Sequence, residues 1–187
     1  AAFGFGQKTG VSLPGEISGL LRPVSAWSGM SISHIPMGHE VSVTAIQLAY
    51  AAASIANGGI LMKPLIIRRV VDNQGRMVKE FKPKIVRQIA SKTAVNKLKI
   101  ALKGVVSSHG TAPKAELRNF SVAGKTGTAQ KLNTDGTYSH KYYMSSFVGF
   151  IPVQKPRILI LVTFDSPMPL YYGGTVAAPV FKNIANR

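Results

Sequence analysis

Val122-Ala123-Gly124-Lys125-Thr126-Gly127-Thr128-Ala129-Gln130 follows two small residues with a lysine and two hydroxyls that a glycine separates. The run belongs to a stretch, residues 120–130, that reads as a β-strand. Side chains alternate along a strand, so Lys125, Gly127 and Ala129 share one face and Thr126 and Thr128 the other. Small residues on one face let a ligand lie against the backbone. Amides, two hydroxyls and one cation then stand within a short span, chemistry suited to an anion and to a polarised carbonyl. An ordinary polar turn of the same composition is the plainer alternative. A nucleotide-binding P-loop also ends in Gly-Lys-Thr, but it needs a glycine five positions before Gly124 so that successive amides curl round a phosphate. Position 119 is Asn119 and residues 120–123 hold no glycine, which counts against that motif.

Downstream, residues 131–141 read as a polar loop with an Asp135-Gly136 turn, and residues 142–151 and 157–165 as two further strands. Ile158-Leu159-Ile160-Leu161-Val162 is continuously apolar, which predicts a central strand covered on both faces. Tyr171-Tyr172-Gly173-Gly174 turns into a helix over residues 175–186, with Val176, Val180, Phe181 and Ile184 on one face and Pro179 in or near its first turn. Upstream, Ser91 caps a helix to about residue 106 whose lysines occupy the side opposite its apolar stripe. Residues 65–71 and 77–81 form a hairpin closed by Asp72-Asn73-Gln74-Gly75. Residues 42–57, capped by Ser42 or Thr44 and ended by Asn57-Gly58-Gly59, predict an alanine-rich, nearly buried helix. Residues 1–40 are irregular, with a turn at Leu13-Pro14-Gly15-Glu16, a loop over residues 29–36 and Trp27 as a packing residue. The layout is α+β: an antiparallel β-sheet with packed helices.

The 187 residues fit one domain, and 45% hydrophobic content suffices for a core. Cysteine is absent, which removes disulfides, thiolate zinc sites and a thiol nucleophile. His34, His39, His109 and His140 show no metal-ligand spacing, so neither metal nor cofactor is expected. No apolar run is long enough to cross a bilayer. The net charge of +16 implies a solvated basic surface or a polyanionic partner. Nucleic-acid readers concentrate their cations; here only Lys92, Lys97, Lys99 and Lys103 resemble a basic helix face, and no nucleic-acid partner is expected. Ala1-Ala2-Phe3-Gly4-Phe5-Gly6 opens in mid-pattern, so the chain is expected to be a piece of a longer protein.

Five stretches carry a resemblance across nearly the whole chain. They are Phe3-Gly4-Phe5-Gly6 with Thr9-Gly10 and Leu13-Pro14-Gly15-Glu16; Val41-Ser42-Val43-Thr44 with Gln47-Leu48 and Ile55-Ala56-Asn57-Gly58-Gly59; Ala123-Gly124-Lys125-Thr126-Gly127-Thr128-Ala129-Gln130; Ser146-Phe147-Val148-Gly149-Phe150; and Tyr172-Gly173-Gly174-Thr175-Val176-Ala177-Ala178-Pro179-Val180-Phe181. Together they resemble the C-terminal part of the transpeptidase domain of a high-molecular-mass, class B type penicillin-binding protein. The resemblance implies part of the penicillin-binding, serine β-lactamase-like fold. It also implies acyl transfer, in which a serine of a Ser-x-x-Lys motif attacks the D-Ala-D-Ala bond of a peptidoglycan stem peptide and β-lactams acylate the same serine. Carried onto this sequence, Lys125 would supply charge to the substrate carboxylate. Thr126 and Thr128 would hydrogen-bond that carboxylate, and the Thr128 amide would form half of an oxyanion hole. Gly127 would keep the wall clear, with Ala129 and Gln130 beside it.

No serine in the chain has a lysine three positions on or an asparagine two positions on, so the Ser-x-x-Lys and Ser-x-Asn motifs are missing. In the family both precede the Phe-Gly-Phe-Gly stretch, and they are expected in an N-terminal part outside residues 1–187. The chain alone is therefore expected to be inactive and unlabelled by penicillin. Gly38-His39-Glu40-Val41 departs from the family pattern; His39 and Glu40 are expected to make a local polar contact or lie exposed rather than line the cleft mouth. The resemblance implies the division or elongation machinery as partners and the extracytoplasmic face of the bacterial inner membrane as location. A non-catalytic carboxylate-binding, polyanion-binding or scaffolding module is the alternative.

Overall fold

The computed structural model describes residues 2–187. The amides of Thr9 and Gly10 and the Thr9 hydroxyl all donate to the Glu16 carboxylate, at 2.6, 3.1 and 2.5 Å, and close the first turn of the chain. Strand β1 (Leu20–Leu21) pairs antiparallel with β2 (Val41–Ser42). Between them helix α1 (Ser31–His34) leads into a 3-10 turn, Ile35–Met37, where a loop was expected. Helical periodicity cannot be read over four residues.

Helix α2 (Ala45–Ala56) starts on a capping box: Thr44 Oγ1 accepts from Gln47 N at 3.2 Å, and Gln47 Oε1 accepts from Thr44 N at 2.9 Å. Gln47 is fully buried, and its Nε2 also donates to the carbonyls of Gln7 and Ser18, each at 2.8 Å. One side chain thus starts the helix and pins the irregular segment to it. Contrary to expectation α2 is not nearly buried. Only Gln47, Ala51 and Ser54 are, while Ala45 and Ala53 are exposed. Alanine allows close packing on the side that meets the sheet but does not supply a cover for the other side.

Next comes a two-stage arm. β3 (Ile60–Met62) pairs with β6 (Ile85–Gln88), and between them β4 (Arg69–Val71) pairs with β5 (Met77–Glu80) across the expected turn. Helix α3 (Lys92–Gly104) is capped by Ser91, whose hydroxyl accepts from Ala94 N at 3.2 Å; Val95 anchors it, and Leu98 and Ile100 remain exposed.

Strands β7 (Ala123–Leu132), β8 (Tyr138–Ile151) and β9 (Ile158–Asp165) form an antiparallel sheet in the order β7-β8-β9. The expected loop over residues 131–141 is much shorter, because both strands run on and leave a tight turn that the Asp135 carboxylate ties to Thr137 N and Oγ1. The expectation for β9 is also corrected: β8 is central and β9 is an edge strand among the described residues. Its apolar run follows from helices on both faces, α2 on one and α4 (Gly173–Ala185) on the other, and carries no information about its place in the ladder. Helix α4 begins two residues earlier than expected, which puts Pro179 in the second turn. Its buried face is Ala177, Ala178 and Phe181, with Ile184 exposed.

Phe147 of β8 and Phe181 of α4 are both fully buried and pack edge to face, with ring centroids 4.9 Å apart. The cross-strand pair Gly124 and Gly149 makes room for them. A Cβ on Gly149 would stand 2.8 Å from the Phe181 ring, and one on Gly124 would stand 2.5 Å from the Phe147 ring.

Candidate active site

Among the described residues strand β7 is the outer strand of its sheet, with one of its two edges paired. From Lys125 to Ala129 its residues divide between the faces as the period of two requires, and the alternation breaks at the irregularity after Gln130. Gly127 and Ala129, opposite Ser146 and Met144 of β8, border a cleft of about 470 Å³ between the sheet and residues 38–48. Gln130, Lys131 and Thr163 also line it. The missing side chain at Gly127 leaves room for the Ser146 hydroxyl, which a Cβ would approach to 2.4 Å.

Thr126 and Thr128 lie on the opposite face, toward α4. Thr126 Oγ1 is 3.1 Å from Thr111 Oγ1, and Thr128 Oγ1 accepts the Gly173 amide at 3.1 Å. Tyr172, the residue before α4, offers no side-chain cap, so a strand threonine satisfies the helix's first amide from outside. Thr128 is exposed and its hydroxyl proton stays free to donate. Lys125 is exposed, and its Nζ donates to the Thr126 carbonyl at 2.8 Å. No carboxylate among the described residues pairs with it. The first turn of α4 holds no acidic residue either, so its dipole adds to the positive character beside Thr128. Gln130 Nε2 donates to the Ser139 carbonyl at 3.0 Å and ties the β7–β8 turn from the cleft side.

The glycine pair at the head of α4 permits this approach. A Cβ on Gly173 would meet the carbonyls of Ser146 at 2.3 Å and Gly127 at 2.5 Å, and one on Gly174 would meet the Thr111 carbonyl at 2.0 Å. Beyond them the Tyr171 ring stacks on Tyr143 at 4.2 Å, and the Ser145 hydroxyl donates to the Tyr171 carbonyl. The adjacent Tyr172 hydroxyl pushes the Tyr171 phenol up to about 12. Thr111 and Ser146 were not among the site residues expected from sequence, although Ser146 opens one of the stretches that carry the resemblance. Thr111 sits fifteen residues before Thr126 in a segment that reads only as the end of a helix, and folding alone brings the two together.

Glu40 also borders the cleft. It sits at φ 60°, with its carboxylate held by the Arg22 guanidinium, by the Ser31 hydroxyl at 2.7 Å and by His34 Nδ1 at 3.4 Å. The Ser31 hydrogen bond, and after it Arg22, holds the carboxyl below its ordinary value. Its backbone N–H donates to the Tyr138 hydroxyl at 3.3 Å, while the His39 ring packs edge-on to the same tyrosine at 4.5 Å. Glu40 therefore makes the expected local polar contact, but contrary to expectation it also borders the cleft, which His39 does not line. No group of three or more His, Asp or Glu that could hold a metal occurs among the described residues, and no described helix is long and apolar enough to cross a membrane.

A Lys-Thr-Gly strand, unpaired along one edge among the described residues, is braced by a glycine-started helix over a paired sheet. The family model "Penicillin binding protein transpeptidase domain" matches residues 1–186. The chain belongs to that family. It is 38% identical over 98% of its length to penicillin-binding protein PbpB of Mycolicibacterium smegmatis, and 39% identical over 97% to stage V sporulation protein D of Bacillus subtilis. It spans about 30% and 28% of those two proteins. A crystal structure of penicillin-binding protein 3 from Mycobacterium tuberculosis complexed with ampicillin superposes with a TM-score of 0.90 at 36% identity, over 99% of this chain and 43% of that one. The expected α+β fold is thus the fold of the family.

Proposed function

We propose that this chain forms the Lys-Thr-Gly wall of a peptidoglycan D,D-transpeptidase, as the C-terminal portion of one transpeptidase domain. Several relatives carry the name peptidoglycan D,D-transpeptidase. The observation that carries the reading is the group formed by an open edge strand, a lysine without a carboxylate partner and two hydroxyls in fixed positions.

In this reading Lys125 draws the terminal carboxylate of a D-Ala-D-Ala stem peptide, or of a β-lactam, to the edge of β7. The Thr126 and Thr128 hydroxyls donate to it. Both oxygens already have a partner, so no rotamer has to be ordered when the anion arrives, which reduces the cost of binding. The Thr128 amide contributes half of an oxyanion hole, a donor whose loss costs on the order of a hundredfold or more in rate. Gly127 and Ala129 keep the wall flat. The nucleophilic serine, its lysine and the second oxyanion donor are supplied by residues outside this sequence, at the outer face of the cytoplasmic membrane and alongside envelope assembly machinery.

Incubation of the 187-residue chain with a fluorescent penicillin tests the assignment of the nucleophile. The expected result is no stable adduct, together with labelling of a polypeptide in which this chain is preceded by a Ser-x-x-Lys and Ser-x-Asn segment. A covalent adduct on the chain alone would place a nucleophile within residues 1–187 and overturn the reading.

A further inference from the structure

The arm built from β3 to β6 takes no part in the cleft. Between residues 65 and 88 every residue except Asp72 and Phe81 is exposed, so the β4–β5 ladder is uncovered on both faces. Its outer edges are unpaired among the described residues. An isolated two-stranded ladder is marginal in water, because neither face is covered and each strand leaves half of its amides and carbonyls to solvent.

Its surface has two characters. Residues 63–87 carry eight cationic side chains, Lys63, Arg68, Arg69, Arg76, Lys79, Lys82, Lys84 and Arg87, against the carboxylates Asp72 and Glu80. Asp72 is already held by Arg76 at 2.8 Å. Among these charges Ile66, Val70, Val71, Met77, Val78 and Ile85 stand between 43% and 66% exposed. Singly scattered apolar side chains are ordinary on a surface, but six of them exposed within twenty residues and rimmed by charges have the make-up of a contact surface. A carbohydrate or teichoic-type polyanion would need only the cations. Apolar side chains beside an open backbone edge match an extended polypeptide, which can both pair with the ladder and bury those residues.

We propose that the β4–β5 hairpin is a docking strand for an acidic, extended segment of a partner protein, which adds as a third strand to the arm. Carboxylates of that segment meet Arg68 and Lys79 on one face of the ladder, and its apolar residues cover Val71 and Met77 on the other. The same cations repel a second copy of the arm, which excludes self-pairing. The surface lies apart from the cleft, so it recruits or positions the domain without entering its chemistry.

The test uses the 187-residue chain and a synthetic peptide of alternating Glu and Val, read by fluorescence anisotropy and by hydrogen exchange of the arm amides. Expected are saturable binding, slowed exchange confined to residues 69–80, and at least a tenfold loss of affinity in the exposed triple variant Arg68→Glu, Arg69→Glu, Lys79→Glu. That variant should keep the parent's circular dichroism and unfolding midpoint. The variant Val71→Ser, Met77→Ser, which keeps every charge, should also weaken binding several-fold. Equal affinity for poly-glutamate or for an anionic polysaccharide would overturn the proposal in favour of bare charge attraction. So would absence of peptide binding, dimerisation of the chain through the arm, or protection of the same amides by other parts of the parent polypeptide.

Discussion

Gly173→Ala tests how the C-terminal helix is tied to the motif strand. Gly173 has an ordinary backbone angle, so what the site requires is space rather than conformational freedom. The new Cβ would stand 2.3 Å from the Ser146 carbonyl and 2.5 Å from the Gly127 carbonyl, both backbone atoms of paired strands that cannot give way singly. An ordinary contact needs roughly 1 Å more, so the head of α4 must lift off the sheet. That lift stretches the 3.1 Å bond from Gly173 N to Thr128 Oγ1 past its useful range. Overpacking costs about 1–3 kcal/mol, and leaving the buried amide unpaired adds about 1–2 kcal/mol. Thr128→Val removes only the acceptor and should cost about 1–2 kcal/mol by itself. Urea unfolding of the two single variants and the double variant forms a cycle. The bond can be lost only once, so the double variant should be less destabilised than the sum by about 1 kcal/mol. Strict additivity, or a Gly173→Ala variant as stable as the parent, would refute the account.

Gln47→Leu removes three hydrogen bonds of a fully buried amide and leaves the Gln7 and Ser18 carbonyls without their donor, at a cost of about 2–4 kcal/mol. Native-state hydrogen exchange should speed first at residues 7–20 and leave β8 protected; uniform acceleration would contradict the pinning role. Because Glu40 is held below its ordinary value, its contribution is present above the usual carboxylate range and is lost as pH falls through its folded value. Glu40→Gln should therefore flatten the acid limb of the stability–pH curve, and an unchanged limb would remove the carboxylate from it. Lys125 is exposed and unpaired with any described carboxylate, so Lys125→Ala should change stability by less than about 0.5 kcal/mol. In the proposed role the same change abolishes the amide shifts of β7 on titration with acetyl-D-Ala-D-Ala, and persistent shifts would count against it.

The motif strand, its face alternation, the cap at Ser91 and the turn at residues 72–75 were legible because each is a local rule written in adjacent residues, while the cap of α2 was narrowed only to Ser42 or Thr44. What stayed hidden depends on partners distant in the chain. The β3–β6 ladder joins strands of three and four residues across a long insertion, too short for alternation to show. The apolar run in β9 reports covered faces and is silent on neighbours, which is why an edge strand read as a central one. Thr126 and Thr128 were legible as hydroxyls on one face. That Thr111 and the head of α4 already hold them was not, since those contacts are made only when the helix closes on the sheet.

In the proposed role of Thr128, the bond from Gly173 N to its Oγ1 makes a single hydroxyl a member of two sites at once. An oxygen that gives its proton to an anion gains electron density and becomes a better acceptor for the amide behind it. Occupancy of the cleft edge and tightness of the last helix are therefore thermodynamically linked, and by reciprocity whatever loosens that helix weakens the grip on the anion. In that role a helix that never touches the ligand has a share in its affinity.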